Sequence, residues 1–145
     1  MKKLFLVICC VAIFPACAAL RDAPAGIAGV STKALESARV DSIYQTYPCD
    51  IDACFDAVSA IAVKNGYYIF SSDRARGLVV LMKIPGCVDT TEVGVFLSQA
   101  PLGEGVVVEL SSRSSLAKKT AAKALLSDLA DRFKKRSKPG FSNLY

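Results

Sequence analysis

Cys49 and Cys54 stand five residues apart on either side of Asp50, and the chain contains no histidine. These two facts bound its chemistry. If Asp50 caps a helix, Cys49 takes the position before the cap and Cys54 the fourth helical position. Those two places meet across a helix start in the geometry of a hydrophobic staple. A disulfide there would lock the helix entry; two buried thiols in simple contact are the other reading. Redox catalysis usually places its cysteines two residues apart, and C-x4-C departs from that. Without histidine there is no imidazole to act as general base, metal ligand or triad member. Any enzyme built on this chain would work with Asp, Glu, Lys or Cys alone, and the reading is of a protein without catalysis and without cofactor.

Three further groups could bind. Arg74 and Arg76 with Gly77 could hold an anionic headgroup or sugar acid, or simply form a solvated hairpin loop. Lys134-Lys135-Arg136 with Lys138 could lean on anionic lipid, or serve as cations favoured at a helix C-terminus. The acids Asp41, Asp50, Asp52, Asp56 and Glu92 have no spacing that specifies metal binding or acid–base work. Asp50, Asp52 and Asp56 crowd a helix start, where the dipole favours them.

The elements that must position these residues follow from periodicity. Val40 to Tyr47 reads as a strand closed by Pro48. Ile51, Cys54, Phe55, Val58, Ile61 and Ala62 recur at helical spacing, and Asn65-Gly66 ends that helix. Tyr67 to Ser71 and Leu78 to Ile84 read as strands, as do Thr91 to Ser98 and Val106 to Ser112. In the last of these Val106, Val108 and Leu110 face one way, Glu109 and Ser111 the other. The serines at 111–115 offer caps for a final helix whose stripe is Ala122, Leu126, Leu129 and Phe133. Pairs at Asp128/Arg132 and Asp131/Lys135 would support its exposed face. The order strand, helix, four strands, helix predicts an α+β two-layer sandwich: a mainly antiparallel sheet of about five strands, wet on one face, with both helices on the other. Phe55, Val58, Ile61, Leu126 and Leu129 are expected to face the sheet. On this topology Cys87 lies at the far sheet edge from Cys49 and remains a thiol.

Ahead of this domain the chain reads as an address. Met1-Lys2-Lys3 precedes an apolar run from Leu4 to Phe14, about 11 residues long. A bilayer-spanning helix needs roughly 20, so the run reads as the core of a secretory signal peptide. Phe14-Pro15-Ala16-Cys17 resembles the lipobox of bacterial lipoproteins, in Ala16 and Cys17 though not in Phe14 and Pro15. The resemblance implies cleavage before Cys17 and its acylation, and so a membrane partner reached through a lipid anchor. Ala16-Cys17-Ala18 also reads as an ordinary A-x-A site, which would leave a soluble periplasmic module starting near Ala19 and binding a small apolar ligand or cell-wall component in a cleft between sheet and helices. Cys9 and Cys10 leave with the leader in either case.

Residues 18–39, rich in Ala and Gly, read as a flexible tether with a helical turn around Lys33 to Ala38. Residues 40–136 form the single domain, and 137–145, with Pro139-Gly140, a frayed tail. The formal charge of +5 falls to +3 without Lys2 and Lys3. It lacks the clustered basic face of a nucleic-acid binder, and export disfavours such a partner. With this leader, Asn65-Gly66, Thr91 to Val95 and Ser111 to Ser115, the chain is similar to small bacterial envelope lipoproteins of the helix-grip kind. That resemblance implies an envelope protein without catalysis, meeting envelope proteins or cell-wall components. It supplies no functional residues.

Overall fold

A computed structural model describes residues 32–134, the side chain of Leu102 aside. The signal peptide expected at residues 1–17, with Cys17, the part of the expected tether up to residue 31, and the chain beyond Lys134 lie outside the described residues. The element order is a short helix α1 (Thr32–Ser37) running into a 3-10 turn (Ala38–Asp41), then β1 (Ile43–Tyr47), α2 (Ile51–Lys64), β2 (Tyr68–Asp73), β3 (Leu78–Met82), β4 (Val93–Gln99), β5 (Val106–Ser111) and α3 (Ser115–Lys134). The five strands form one antiparallel sheet in the order β1-β5-β4-β3-β2. The fold is thus the α+β sandwich with α2 and α3 against one sheet face.

Each main helix starts where its sequence provides a cap. The Asp50 carboxylate accepts from the Ala53 amide at 2.8 Å, satisfying a donor that no helical carbonyl can reach. Ser114 Oγ does the same for the Ala117 amide at 3.2 Å. Gly66, at φ +76°, ends α2 in the left-handed region, where a β-carbon would be strained.

The core lies between the helices and the sheet. Val58, Ala62, Leu125 and Leu129 on the helices meet Val79, Val95, Val108 and Leu110 on the strands, all buried. Phe55, Ile61 and Leu126 belong to the same cluster. These side chains fill the space between the two layers. α2 packs over β2 and β4, and α3 over β1 and β5.

Three expectations change here. The helical turn expected around Lys33 to Ala38 is present as α1, but residues 32–39 are not a free tether: Leu35 is only 1% exposed. The sheet face read as wet is partly covered by that segment. Leu78, Val80 and Phe96 are buried on it, and so is Ser111, whose hydroxyl donates to the Leu35 carbonyl at 2.8 Å. Alternation of side chains shows that a sheet has two faces; it does not show what docks on the second. Gly94 makes the docking possible: a β-carbon there would lie 2.9 Å from the Phe96 ring and 3.3 Å from Leu35. Val40, read as the first strand residue, instead sits in the 3-10 turn.

Candidate functional site

β1 turns into α2 through Pro48, and this turn places Cys49 and Cys54 with their sulfurs 2.03 Å apart, a disulfide across the helix start. Cys54 is fully buried and Cys49 partly so. Cys87 is a free thiol, half-buried, in the loop that leaves β3. It belongs to the side of the sheet remote from β1.

The loop arginines are drawn into ties within the domain. Arg74 donates to Asp52 at 2.9 Å and to Asp56, bridging the β2–β3 loop to the first turns of α2. Its guanidinium lies 4.6 Å over the Phe55 ring. Hydrogen bonds from the two carboxylates, Asp56 first, raise its pKa above the ordinary arginine value. Arg76 reaches Glu36 of α1 at 2.7 Å. Both guanidinium groups are paired within the domain, while residues 74–76 of the loop stay exposed to solvent. The partners are distant in sequence, so no local pattern reveals them.

α1 and its 3-10 turn are held on the sheet by a fork, a cation and a plug. Arg39 grips Glu109 of β5 with two hydrogen bonds, 3.0 and 2.6 Å long, and stacks 4.6 Å over Phe96. This is the planar bidentate geometry that arginine offers and lysine does not. The Arg39 hydrogen bond holds the Glu109 carboxyl below its ordinary pKa, against the opposing pull of burial. Lys118 of α3 is the cation. Its side chain is 4% exposed, and its ammonium meets the Asp41 carboxylate at 2.6 Å and the Asp41 carbonyl. That contact in turn depresses the Asp41 pKa. Leu35 is the plug.

The acid set thus disperses into structural roles: Asp50 as cap, Asp52 and Asp56 on Arg74, Asp41 on Lys118. Glu92 is buried, and its backbone carbonyl accepts from Ser112 Oγ at 2.6 Å. Asp128 does not pair with Arg132. It faces α2, where Lys64 and Asn65 each approach its carboxylate to 3.2 Å. Among the described residues no group of three or more Cys, Asp or Glu is placed to hold a metal ion. No described helix is long and apolar enough to cross a membrane.

Among the described residues, a depression and an open strand edge offer surface for contact. A shallow depression of about 330 Å³ lies between the start of α2 and the end of α3, lined by Ala53, Asp56, Arg132 and Phe133. It holds one acid and one base, and no nucleophile. The other surface is the edge strand β1. Its sequence Ile-Tyr-Gln-Thr-Tyr carries no charge, and it pairs with β5 in continuous register without a bulge. Tyr44 within it is 70% exposed, and Val40 just before it 97%. Sequence reasoning treated β1 only as a strand, because the order of strands in the sheet decides which of them are edges. No protein-family model matches the chain, and no curated protein matches it.

Proposed function

We propose that this protein is a lipid-anchored component of a bacterial cell envelope whose α+β domain binds or braces other envelope components and catalyses no reaction. One observation carries the reading: Ala16-Cys17 behind the apolar run from Leu4 to Phe14. A cysteine acylated there would hold the chain at a membrane, since each buried CH₂ contributes roughly 0.8 kcal/mol and more than one acyl chain is attached. The Cys49–Cys54 disulfide supports export, because such bonds persist in oxidising compartments. The dispersal of acids and arginines into structural ties supports a domain that acts through its surface.

The test is the intact mass of the mature protein from the membrane fraction. The expected result is a chain beginning at Cys17 with added acyl mass, and release of the Cys17→Ser variant from the membrane. A soluble mature chain beginning at Ala19 would replace this reading with a diffusible periplasmic binding module.

A further inference from the structure

The two edges of the sheet are built differently. β2 carries a register shift between Ile69 and Ser71 and ends on Asp73. Bulges and charges on an edge oppose the addition of further strands. Tyr68, the first residue of β2, is 52% exposed and has the Lys83 ammonium 5.6 Å from its ring centroid, which places a charge on this edge. β1 has none of these guards. It is regular, uncharged and free of proline, and among the described residues β5 is its one strand neighbour.

The surroundings of the β1 edge say what strand would fit. α3 lies over β1 and β5, and its Asp128 points towards α2 through Lys64 and Asn65. Lys119 comes nine residues earlier, about two and a half turns at 3.6 residues per turn, so it projects from the opposite side of the helix. That side overlooks the open edge of β1. The nearness of Lys119 to Asp41, whose carboxyl it helps to hold ionised, agrees with this placement. Lys123 follows one turn on, and both lysines are exposed. On the opposite face of the sheet the edge is bordered by Tyr44 and Val40, both exposed.

We infer that the β1 edge accepts an extended segment of a partner protein as a sixth strand, one whose residues alternate between acidic and apolar. In such a strand successive side chains point to opposite faces. Those facing the helix layer lie on the side from which Lys119 projects, with Lys123 one turn further and turned more to solvent, and carboxylates complement them. Those facing the other way fall beside Tyr44, and apolar groups complement it. Main-chain hydrogen bonds would supply affinity, and the two borders would supply selection. Charge also argues against a second copy of this chain as the occupant. Antiparallel pairing of two β1 edges places both helix layers on the same side of the joined sheet. The lysines of the two α3 helices would then gather across the dyad, and the one carboxylate at each edge, Asp41, is already held by Lys118 of its own chain.

The inference rests on the binding-domain part of the proposed function and is independent of the anchor. The test uses the mature chain with Cys17→Ser and two synthetic octapeptides, alternating Val-Glu and alternating Val-Lys, followed by amide NMR. The expected result is saturable binding of the Val-Glu peptide, at least tenfold tighter than Val-Lys, with shifts centred on residues 43–47 and Lys119. The double variant Lys119→Glu, Lys123→Glu should reverse the preference. Tyr44→Lys, which charges the apolar border without touching the core, should weaken the Val-Glu complex at least tenfold. Equal binding of the two peptides, or binding of neither, overturns the inference. So does self-association through β1 in the absence of peptide. Binding with shifts centred elsewhere overturns the edge assignment while leaving the binding-domain reading standing.

Discussion

Tyr47 ties together the last turn of β1, the middle of α3 and the core. Its ring is buried and lies 6.0 Å from that of Phe133, and its hydroxyl donates to the Leu126 carbonyl at 2.8 Å. Burial raises its pKa well above the ordinary tyrosine value, so the group stays a neutral donor throughout the working range of the protein. Tyr47→Phe keeps the ring and removes one neutral hydrogen bond, for which about 1 kcal/mol is expected. Equilibrium urea melts of the two proteins measure it. A loss above about 3 kcal/mol would mean that the hydroxyl does more than meet one carbonyl. Lys118 illustrates a different economy. Its ammonium is sheltered while the Asp41 carboxylate that meets it is 91% exposed. Losing the acid leaves a sheltered cation with only the backbone carbonyl of residue 41, whereas losing the cation leaves an acid in water. Asp41→Ala should therefore destabilise more than Lys118→Met, and a melt showing the reverse order would overturn that reasoning.

The turn from β1 into α2 and the docked α1 segment test two kinds of constraint. The Cys49–Cys54 bridge closes a short loop, so the chain-entropy argument gives it only about 2 kcal/mol. A Cys49→Ser, Cys54→Ser variant should fold and melt lower by that amount. Failure to fold would show that the bridge organises the helix start and does not merely restrain it. The α1 segment depends on one plug and a few polar ties. Leu35→Ala should raise amide exchange through residues 33–41 while moving the global melting transition less than Leu129→Ala, which empties the main core. These cases also show what can be read from the sequence. The stripes of α2 and α3 and the alternation in β5 repeat with their own periods, so Phe55, Val58 and Leu129 declare their direction locally. Cys49 and Cys54 could be singled out because both flank one cap, Asp50. Leu35 could not, because its site is made by Gly94, Phe96 and Ser111 on two strands far along the chain. Arg39 with Glu109 and Arg74 with Asp56 are likewise partnerships between distant segments. The open edge at β1 was hidden for the same reason, since β5 had to be placed before β1 could be recognised as terminal.

Across the described domain charge is balanced: between Thr32 and Lys134 the basic and acidic residues are equal in number, and the +5 of the chain resides in the flanking residues. With no histidine, no imidazole titrates between pH 5 and 8. Glu109, Asp41 and Asp128 have folded-state pKa values lowered by their hydrogen-bonded partners, Arg39, Lys118 and Lys64 in turn. A carboxyl depressed in this way stabilises the fold above its unfolded pKa, near 4, and loses that contribution as pH falls through the lower folded value. Stability should thus be flat from about pH 5.5 to 8 and decline below about pH 4, less steeply in Glu109→Gln. Denaturant midpoints against pH measure this; a transition near pH 6.5 would contradict it.

The docked α1 segment has a mechanical consequence. A load applied from the N-terminal side enters the described domain at Thr32 and meets Leu35, Arg39 and Asp41 before it reaches β1. Residues 32–41 would peel first, releasing about ten residues, or roughly 35 Å of extended chain at about 3.5 Å each, while the sheet stays whole. β1, next in line and at the sheet margin, would unzip from β5 only after that slack is spent. Pulling single molecules from the two termini should show a small, low-force extension ahead of the main rupture, equal to this contour less the span of the folded segment. Leu35→Ala should abolish it. The segment that covers one sheet face then also serves as a shock absorber for the fold behind it.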